Sequence, residues 1–377
     1  MRKLLVFTIS TLLIVTDIYA KYHIVIVAGQ SNCLNIHTNV TALPDSPVDS
    51  LIPFFYELYY PPSGETLPLV TSSENCWKSL HYHTRDGSVG PTYPFFGPEM
   101  TLGRTLSETL DSVAIFKFGV AGSNLGYDWN PESETGSQIY KVFMNKLHIA
   151  EQKLRDNGDD FEWYAFTWMQ GEGDAIYYNY ATNYYTNLGH FVQTIRNTLE
   201  LPELPFVIGL IADELPLSTY PYRDTVRNAQ IHYANENPNV CMINTENYTM
   251  DADNVHFNSQ GVMQLGQDMA AAIVAMKSGS SATQAKKEPA AGLNPLNIYP
   301  NPTNHTAMIE IKLMDRVPVR LDLYDINGRH VKTILNRTCD NHNLQVPFSI
   351  NSLTSGLYFL SLHIGNEYYF RKINIIK

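Results

Sequence analysis

Cationic side chains are in short supply in this chain. Lys and Arg together number 26 against 37 Asp and Glu, which leaves a formal net charge of −11. Proteins that bind nucleic acid present a basic face to phosphate, so this balance speaks against that class. Charged residues of either sign amount to only 17%, whereas apolar residues amount to 44%, enough for a full core, which excludes wholesale disorder. Cysteine is equally sparse. Cys33, Cys76, Cys241 and Cys339 cannot staple a chain of 377 residues into a disulfide framework, and their positions select no pairing. No Cys/His group has zinc spacing, and His81 with His83 lacks a third ligand nearby. Repeats and heptads are absent. Beyond the N-terminus no apolar run is long enough to cross a bilayer.

What the N-terminus does contain is a targeting pattern. Arg2 and Lys3 precede the apolar run 4–15, and Ala20 supplies a small residue at a cleavage point. The run is short for a membrane span, so residues 1–20 are predicted to be a signal peptide, with export of the remainder. No Cys follows Ala20, so no lipid-anchored N-terminal cysteine is expected.

Near-continuous apolar runs at 22–28, 113–118, 163–168, 206–211 and 240–243 have the character of strands covered on both faces. Helical periodicity occupies 99–110, 138–156, 184–199, 224–237 and 259–276 between and after them. Strand and helix in alternation predict a parallel sheet with helices on both sides, whose functional edge lies at the C-terminal ends of the strands. The long stretch from Ser31 to Pro98 interrupts that rhythm. Rich in Pro and Tyr, it is expected to be an ordered wall of a substrate pocket. The aromatic clusters at 54–60 and 177–185 are either core or platforms for sugar stacking. After Met276, residues 277–292 are Ser, Ala, Lys, Gly and Pro, the composition of a flexible linker. Residues 293–377 then alternate as short strands, with turn signals at Asn327-Gly328 and Gly365-Asn366, and predict a small antiparallel β-sandwich.

Reactive groups gather at the predicted strand ends. The first strand runs into Gly29-Gln30-Ser31-Asn32, which presents a hydroxyl on a tight turn. A serine nucleophile needs a base and donors for the developing oxyanion. Asp253 and His256 lie three apart just before the last helix, close enough for the carboxylate to fold back on the imidazole; the alternative is a turn-capping Asp beside a packing His. The second strand leads into Gly119-Val120-Ala121-Gly122-Ser123, where a glycine N–H can approach a substrate oxygen, and the third into Gln170-Gly171-Glu172-Gly173-Asp174, where the Gln170 amide could donate. Cys33 beside Ser31 fits a small buried thiol better than a nucleophile. Glu172 is the alternative to Asp253 as the acid behind His256.

Taken together, Gly29-Gln30-Ser31-Asn32, Gly122-Ser123, Trp168-x-Gln170-Gly171-Glu172-x-Asp174 and Asp253-x-x-His256-Phe257 resemble the carbohydrate esterase branch of the SGNH hydrolases. That branch includes the sialate O-acetylesterase domain and the acetylxylan esterases of carbohydrate esterase family six. Arg227-Asn228-Ala229-Gln230 and Gly261 fit the same pattern. Over residues 21–276 the resemblance implies a three-layer α/β/α, flavodoxin-like hydrolase. It implies Ser31 as nucleophile, His256 as base and Asp253 as its acid, with Ser31, Gly122 and Gln170 forming the oxyanion hole. The implied reaction is removal of O-acetyl groups from carbohydrate through an acetyl-serine, without metal or organic cofactor. A lipid or thioester hydrolase, or an inactive carbohydrate-binding protein, is the alternative. The C-terminal stretch, through Tyr299-Pro300-Asn301-Pro302, Leu323-Tyr324-Asp325-Ile326-Asn327-Gly328-Arg329 and Gly356-Leu357-Tyr358-Phe359, resembles the type A sorting domain of the Bacteroidetes type IX secretion system. That resemblance implies an Ig-like sandwich, the secretion machinery as a partner, and a secreted or surface location.

Overall fold

The protein was analysed as a computed structural model. It describes residues 21–61, 66–133, 138–278, 296–313, 316–325, 330–339, 343–364 and 367–377. The expected signal peptide, the linker from residue 279 onward, and the turns at Asn327-Gly328 and Gly365-Asn366 lie outside them.

The N-terminal part runs β1 (Tyr22–Gly29), α1 (Ser31–Leu34), β2 (Pro53–Tyr59), β3 (Leu69–Ser72), β4 (Lys78–Ser79), α2 (Glu99–Leu106), β5 (Val113–Val120) and α3 (Gln138–Asn157). It continues with β6 (Phe161–Met169), α4 (Tyr178–Thr198), β7 (Phe206–Gly209), α5 (Arg223–Glu236), β8 (Val240–Ile243) and α6 (Ser259–Lys277). One sheet has the order β3-β2-β5-β1-β6-β7-β8, with β4 paired to β2. From β2 to β8 every neighbouring pair is parallel, and β3 and β4 run antiparallel to β2. All eight residues of β5 are buried, as expected of a strand covered on both faces.

Register aligns the chemistry. Gly29 at the end of β1 pairs with Gly119 of β5 on one side and Met169 of β6 on the other. The segments bearing Ser31, Gly122 and Gln170 therefore leave one edge of the sheet side by side. Gly29 has φ +151°, and a Cβ there would lie 2.0 Å from the Met169 carbonyl oxygen, so the turn into Ser31 requires glycine.

The stretch from Ser31 to Pro98 is more than a pocket wall. Its aromatic run 54–59 is strand β2, buried beside β5, and so belongs to the core. Glu57 had disguised it: this carboxylate, inside the strand, accepts from Lys146 Nζ at 2.8 Å and from the Tyr59 hydroxyl at 2.6 Å. Helix α4 begins at Tyr178, six residues before its expected start, because its first turns are polar and tyrosine-rich. Helix α2 ends at Leu106, four residues before its expected end.

Beneath α1 sits a fully buried ionic cluster. Lys117 Nζ on β5 donates to Glu99 Oε2 on α2 at 2.6 Å, and His83 Nε2 lies 3.0 Å from Glu99 Oε1. Lys117 also reaches the Leu34 carbonyl at the end of α1, at 3.4 Å. Burial alone would push the Glu99 carboxyl up, but Lys117 and His83 outweigh it and hold the group at about 2. Burial, reinforced by Lys117, lowers His83 to about 4, so the imidazole is neutral. His83 is thus a partner of Glu99, whereas His81 bonds Tyr56 and the Ser79 carbonyl.

The C-terminal part contains β9 (Leu296–Tyr299), β10 (Thr306–Lys312), β11 (Val317–Asp325), β12 (His330–Cys339), β13 (Asn343–Ser349), β14 (Gly356–Ile364) and β15 (Glu367–Ile375). They form two antiparallel sheets, β13-β10-β9 and β12-β11-β14-β15. Ile309 and Ile311 of the first share a core with Leu321, Leu323 and Leu360 of the second, separate from the core of the N-terminal part. All four cysteines are free, and burial pushes the Cys33 thiol up to about 12, which makes it inert.

Removing the anion from the cluster would strand a buried ammonium. Glu99→Ala is expected to destabilise the protein by about 3–5 kcal/mol, the scale for breaking a buried pair. Urea unfolding at pH 7 checks this; a loss below about 1 kcal/mol would mean the site admits water.

Candidate active site

Ser31 opens α1 directly after the glycine turn, and its side chain faces a cavity of about 400 Å³. Gly122, His37 and His256 line the same cavity, together with Gln30 and apolar side chains that include Leu34, Ile36 and Val255. His256 arrives from the 251–257 loop, whose ends are pinned by a bridge between Met250 and Phe257 and by the Asn258 cap of α6. Three of the expected residues, Ser31, Gly122 and His256, are therefore brought to one space.

Asp253 stands behind His256. Its Oδ2 lies 2.6 Å from His256 Nδ1, while its Oδ1 accepts the backbone N–H groups of Val255 at 2.8 Å and His256 at 3.0 Å. Burial works to raise the Asp253 carboxyl, but these bonds prevail and hold it at about 2, so it is ionised across the working range. His256 itself is lowered from 6.5, first by burial and then by the charge of His37, with Asp253 acting in the opposite direction. An ionised acid on Nδ1 leaves Nε2 of the neutral ring free to take a proton.

Glu172, the alternative acid, sits elsewhere. It is 1% exposed; its Oε1 accepts from Asn32 Nδ2 at 2.7 Å, and its Oε2 finds no hydrogen-bond partner among the described residues. Burial lifts its carboxyl to about 7. Asn32 joins it to the base loop, donating also to the Val255 carbonyl at 3.0 Å and accepting from Phe257 N–H at 2.9 Å. These two contacts straddle His256.

Gln170 departs from expectation. It is fully buried and absent from the cavity wall; its Nε2 lies 2.6 Å from Asp174 Oδ2 and 3.2 Å from both Gln30 Oε1 and the Ser123 carbonyl. Tyr184 and Gln230 close its other side. An amide so enclosed braces the loops and is not placed to donate to a substrate oxygen. Asp174, raised to about 6 by burial, accepts the N–H groups of Leu125 at 2.7 Å and Gly126 at 2.8 Å and so shapes the loop that carries Gly122. The Ser31 and Gly122 N–H groups have no acceptor among the described residues.

Two features were not read from the sequence. One is the bracing role of Gln30 and Asn32, for which the only signal was a pair of polar residues flanking Ser31 in a turn. The other is His37, whose ring stacks on His256 at 4.0 Å and 10° while its Nδ1 bonds Asp251 Oδ2 at 2.8 Å. Nothing in sequence spacing connects residues 37 and 256. His37, Asp253 and His256 offer ligand atoms within 4.8 Å of one another. Imidazole lone pairs lie in the ring planes, however, and two nearly parallel stacked planes do not converge on one ion.

Residues 21–275 match the family described as carbohydrate esterase, sialic acid-specific acetylesterase, and residues 297–377 match the secretion system C-terminal sorting domain. A "probable carbohydrate esterase" of Arabidopsis thaliana is 28% identical over 201 residues, 53% of this chain and 70% of that protein. The fold is shared with a solved Arabidopsis thaliana protein at TM-score 0.50 and 21% identity, covering 68% of this chain and 98% of that one. It is shared also with a carbohydrate acetylesterase from Xanthomonas citri at TM-score 0.51 and 13% identity, covering 94% and 79%.

The environment of Glu172 makes stability depend on pH. Its carboxyl moves from an ordinary 4.5 to about 7 on folding, so the folded state holds the proton more tightly. Stability is therefore lost as pH rises from 4.5 through 7, by about 3 kcal/mol at pH 8. Glu172→Gln removes that slope, and urea midpoints of variant and parent should diverge between pH 5 and pH 8 in the variant's favour. A constant offset from the new amide does not alter the divergence; parallel pH curves would show that Glu172 is ionised at no penalty.

Proposed function

We infer that this chain, which belongs to the sialic acid-specific acetylesterase family of carbohydrate esterases, removes O-acetyl groups from carbohydrate through an acetyl-Ser31 intermediate. It is a carboxylic ester hydrolase with a secretion sorting domain at its C-terminus. The observation that carries the mechanism is that His256, bonded through Nδ1 to Asp253, lines the same cavity as Ser31.

In this reading His256 Nε2 takes the Ser31 hydroxyl proton as Oγ attacks the acetyl carbonyl carbon. Asp253 accepts from Nδ1–H throughout and stabilises the imidazolium. The negative charge on the former carbonyl oxygen falls to the Ser31 and Gly122 N–H groups. When the C–O bond to the sugar breaks, His256 returns its proton to the departing sugar oxygen. Water then attacks the acetyl carbon, giving its proton to His256; acetate leaves and Ser31 regains its hydrogen. Gln170 supports the oxyanion loop through Gln30, Ser123 and Asp174 without touching the substrate. The sorting domain supports secretion or surface display, for which the proposed route is the signal peptide followed by the type IX machinery.

Ser31→Ala should abolish acetate release from acetylated sugars while leaving the unfolding midpoint unchanged. Asp253→Asn should lower kcat about 10⁴-fold, the scale for a triad acid. Glu172→Gln should stay within about tenfold of the parent, since it does not touch the imidazole. A severe loss in Glu172→Gln with a mild one in Asp253→Asn would reverse the roles.

The base acts in its neutral form, and His256 is lowered from 6.5. kcat/KM should fall on the acid side as the ring gains its proton, with its midpoint below pH 6.5. A profile that declines already from pH 8 would contradict the environment described for His256.

A further inference from the structure

Half of the large apolar side chains that stand exposed among the described residues lie on segments leading away from the catalytic cavity: Tyr127, Ile176, Tyr177, Tyr178 and Leu217. Three separate segments begin in the cavity wall and end in this patch. Gly122 lines the cavity, and Tyr127 follows on the same loop. Ile176 lines it, and Tyr177 and Tyr178 come next, 55% and 48% exposed. Tyr220 lines it, and Tyr222 two residues on meets the Tyr178 ring. A patch this concentrated, continuous with a reaction site, calls for an occupant, whereas singly scattered exposed residues do not.

The rings are held in place. Tyr177 packs edge-on against Tyr180 at 5.4 Å and 69°, and Tyr178 against Tyr222 at 5.5 Å and 67°. Tyr180 is itself fixed over Gly126, where a Cβ would come within 2.5 Å of its ring. Burial first, and then the charges of Asp128, Asp174, Tyr127 and Tyr177, raise the Tyr180 hydroxyl above its ordinary value. Tyrosines with few free rotations offer flat apolar area and a wet hydroxyl together at low entropic penalty. That combination suits the C–H face and hydroxyl rim of a pyranose ring. Asp128, next to Tyr127 on the same loop, puts a carboxyl group beside the platform and disfavours an anionic occupant.

We propose that Tyr127, Tyr177 and Tyr178 form a stacking platform for the neutral polysaccharide chain whose acetyl group enters the cavity. The inference rests on the esterase reading above and narrows it, from acetylated carbohydrate in general to a polymer that extends past the acetylated residue.

The test compares acetylated xylan with 4-nitrophenyl acetate, using the full chain and its Tyr177→Ala/Tyr178→Ala variant. The variant should lose about tenfold or more in kcat/KM on acetylated xylan, mainly through KM, and keep its rate on 4-nitrophenyl acetate. Tyr177→Phe/Tyr178→Phe, which retains the rings, should behave as the parent. In a Ser31→Ala background, acetylated xylan cast into a native gel should retard the protein, and the double alanine change should abolish the retardation. Equal kcat/KM on the polymer for parent and alanine variant, a parallel loss on both substrates, or a parent that cleaves 4-nitrophenyl acetate and acetylated sialosides but not the polymer would each overturn the platform. If the parent hydrolyses no ester, the esterase reading fails, and gel retardation alone decides the platform.

Discussion

The side chain of Asn32 ties the turn of Ser31 to the loop that carries His256. Directly after Ser31, it reaches the backbone on either side of His256, accepting from Phe257 N–H and donating to the Val255 carbonyl. Asn35, one turn later, donates to the Phe257 carbonyl at 2.9 Å. Residues 32 and 256 are far apart in sequence, and a displacement of about 1 Å between reacting groups can cost about 10²-fold in rate. Because Asn32 is buried and its amide nitrogen and oxygen are both engaged, the loop carrying His256 cannot shift without breaking contacts made by the same short helix that begins with Ser31.

The Gln170–Asp174 segment completes that framework from the third strand end. Gln30 Oε1 accepts from Gln170 Nε2 and from the N–H groups of Gly171 and Gly173. Asp174 holds Leu125 and Gly126, and Glu172 holds Asn32. One five-residue stretch therefore joins the nucleophile turn, the loop of Gly122 and, through Asn32, the base loop. Its glycines are part of the design: a Cβ on Gly173 would meet the Ser123 carbonyl oxygen at 2.4 Å. The density of polar residues in this motif reflects three loops being braced from below, and only their outer surfaces face the cavity.

Much of this was legible from the order of residues. Continuous apolar runs marked five strands of the large sheet, since strands covered on both faces have no polar alternation. Asp253 and His256 could be paired because contact over three residues is a local matter. What failed was whatever depended on the third dimension. Strand β2 was hidden because Glu57 and flanking tyrosines imitate a surface segment, and the cation that pairs with the carboxylate, Lys146, comes from a helix distant in sequence. Gln170 was expected to face substrate because amides at strand ends can donate; three acceptors supplied by Gln30, Ser123 and Asp174 turn it inward. The stacking of His37 on His256 has no local signal at all.

The two carboxylates that competed for one role are separated by their surroundings. Asp253 is partly open to water, accepts two backbone N–H bonds and faces an imidazole, so its negative charge is stabilised in the state in which it must assist His256. Glu172 is enclosed, with one oxygen on an amide and the other without a partner, and near neutrality it exists as acid and anion alike. A group that must stabilise an imidazolium has to be charged before the proton arrives, because creating the charge at that moment would add the desolvation of a buried anion to the barrier. On the proposed mechanism Asp253 meets that condition and Glu172 does not. The burial of Glu172 suits it as an anchor for Asn32, since a carboxyl oxygen accepts the amide N–H in either protonation state.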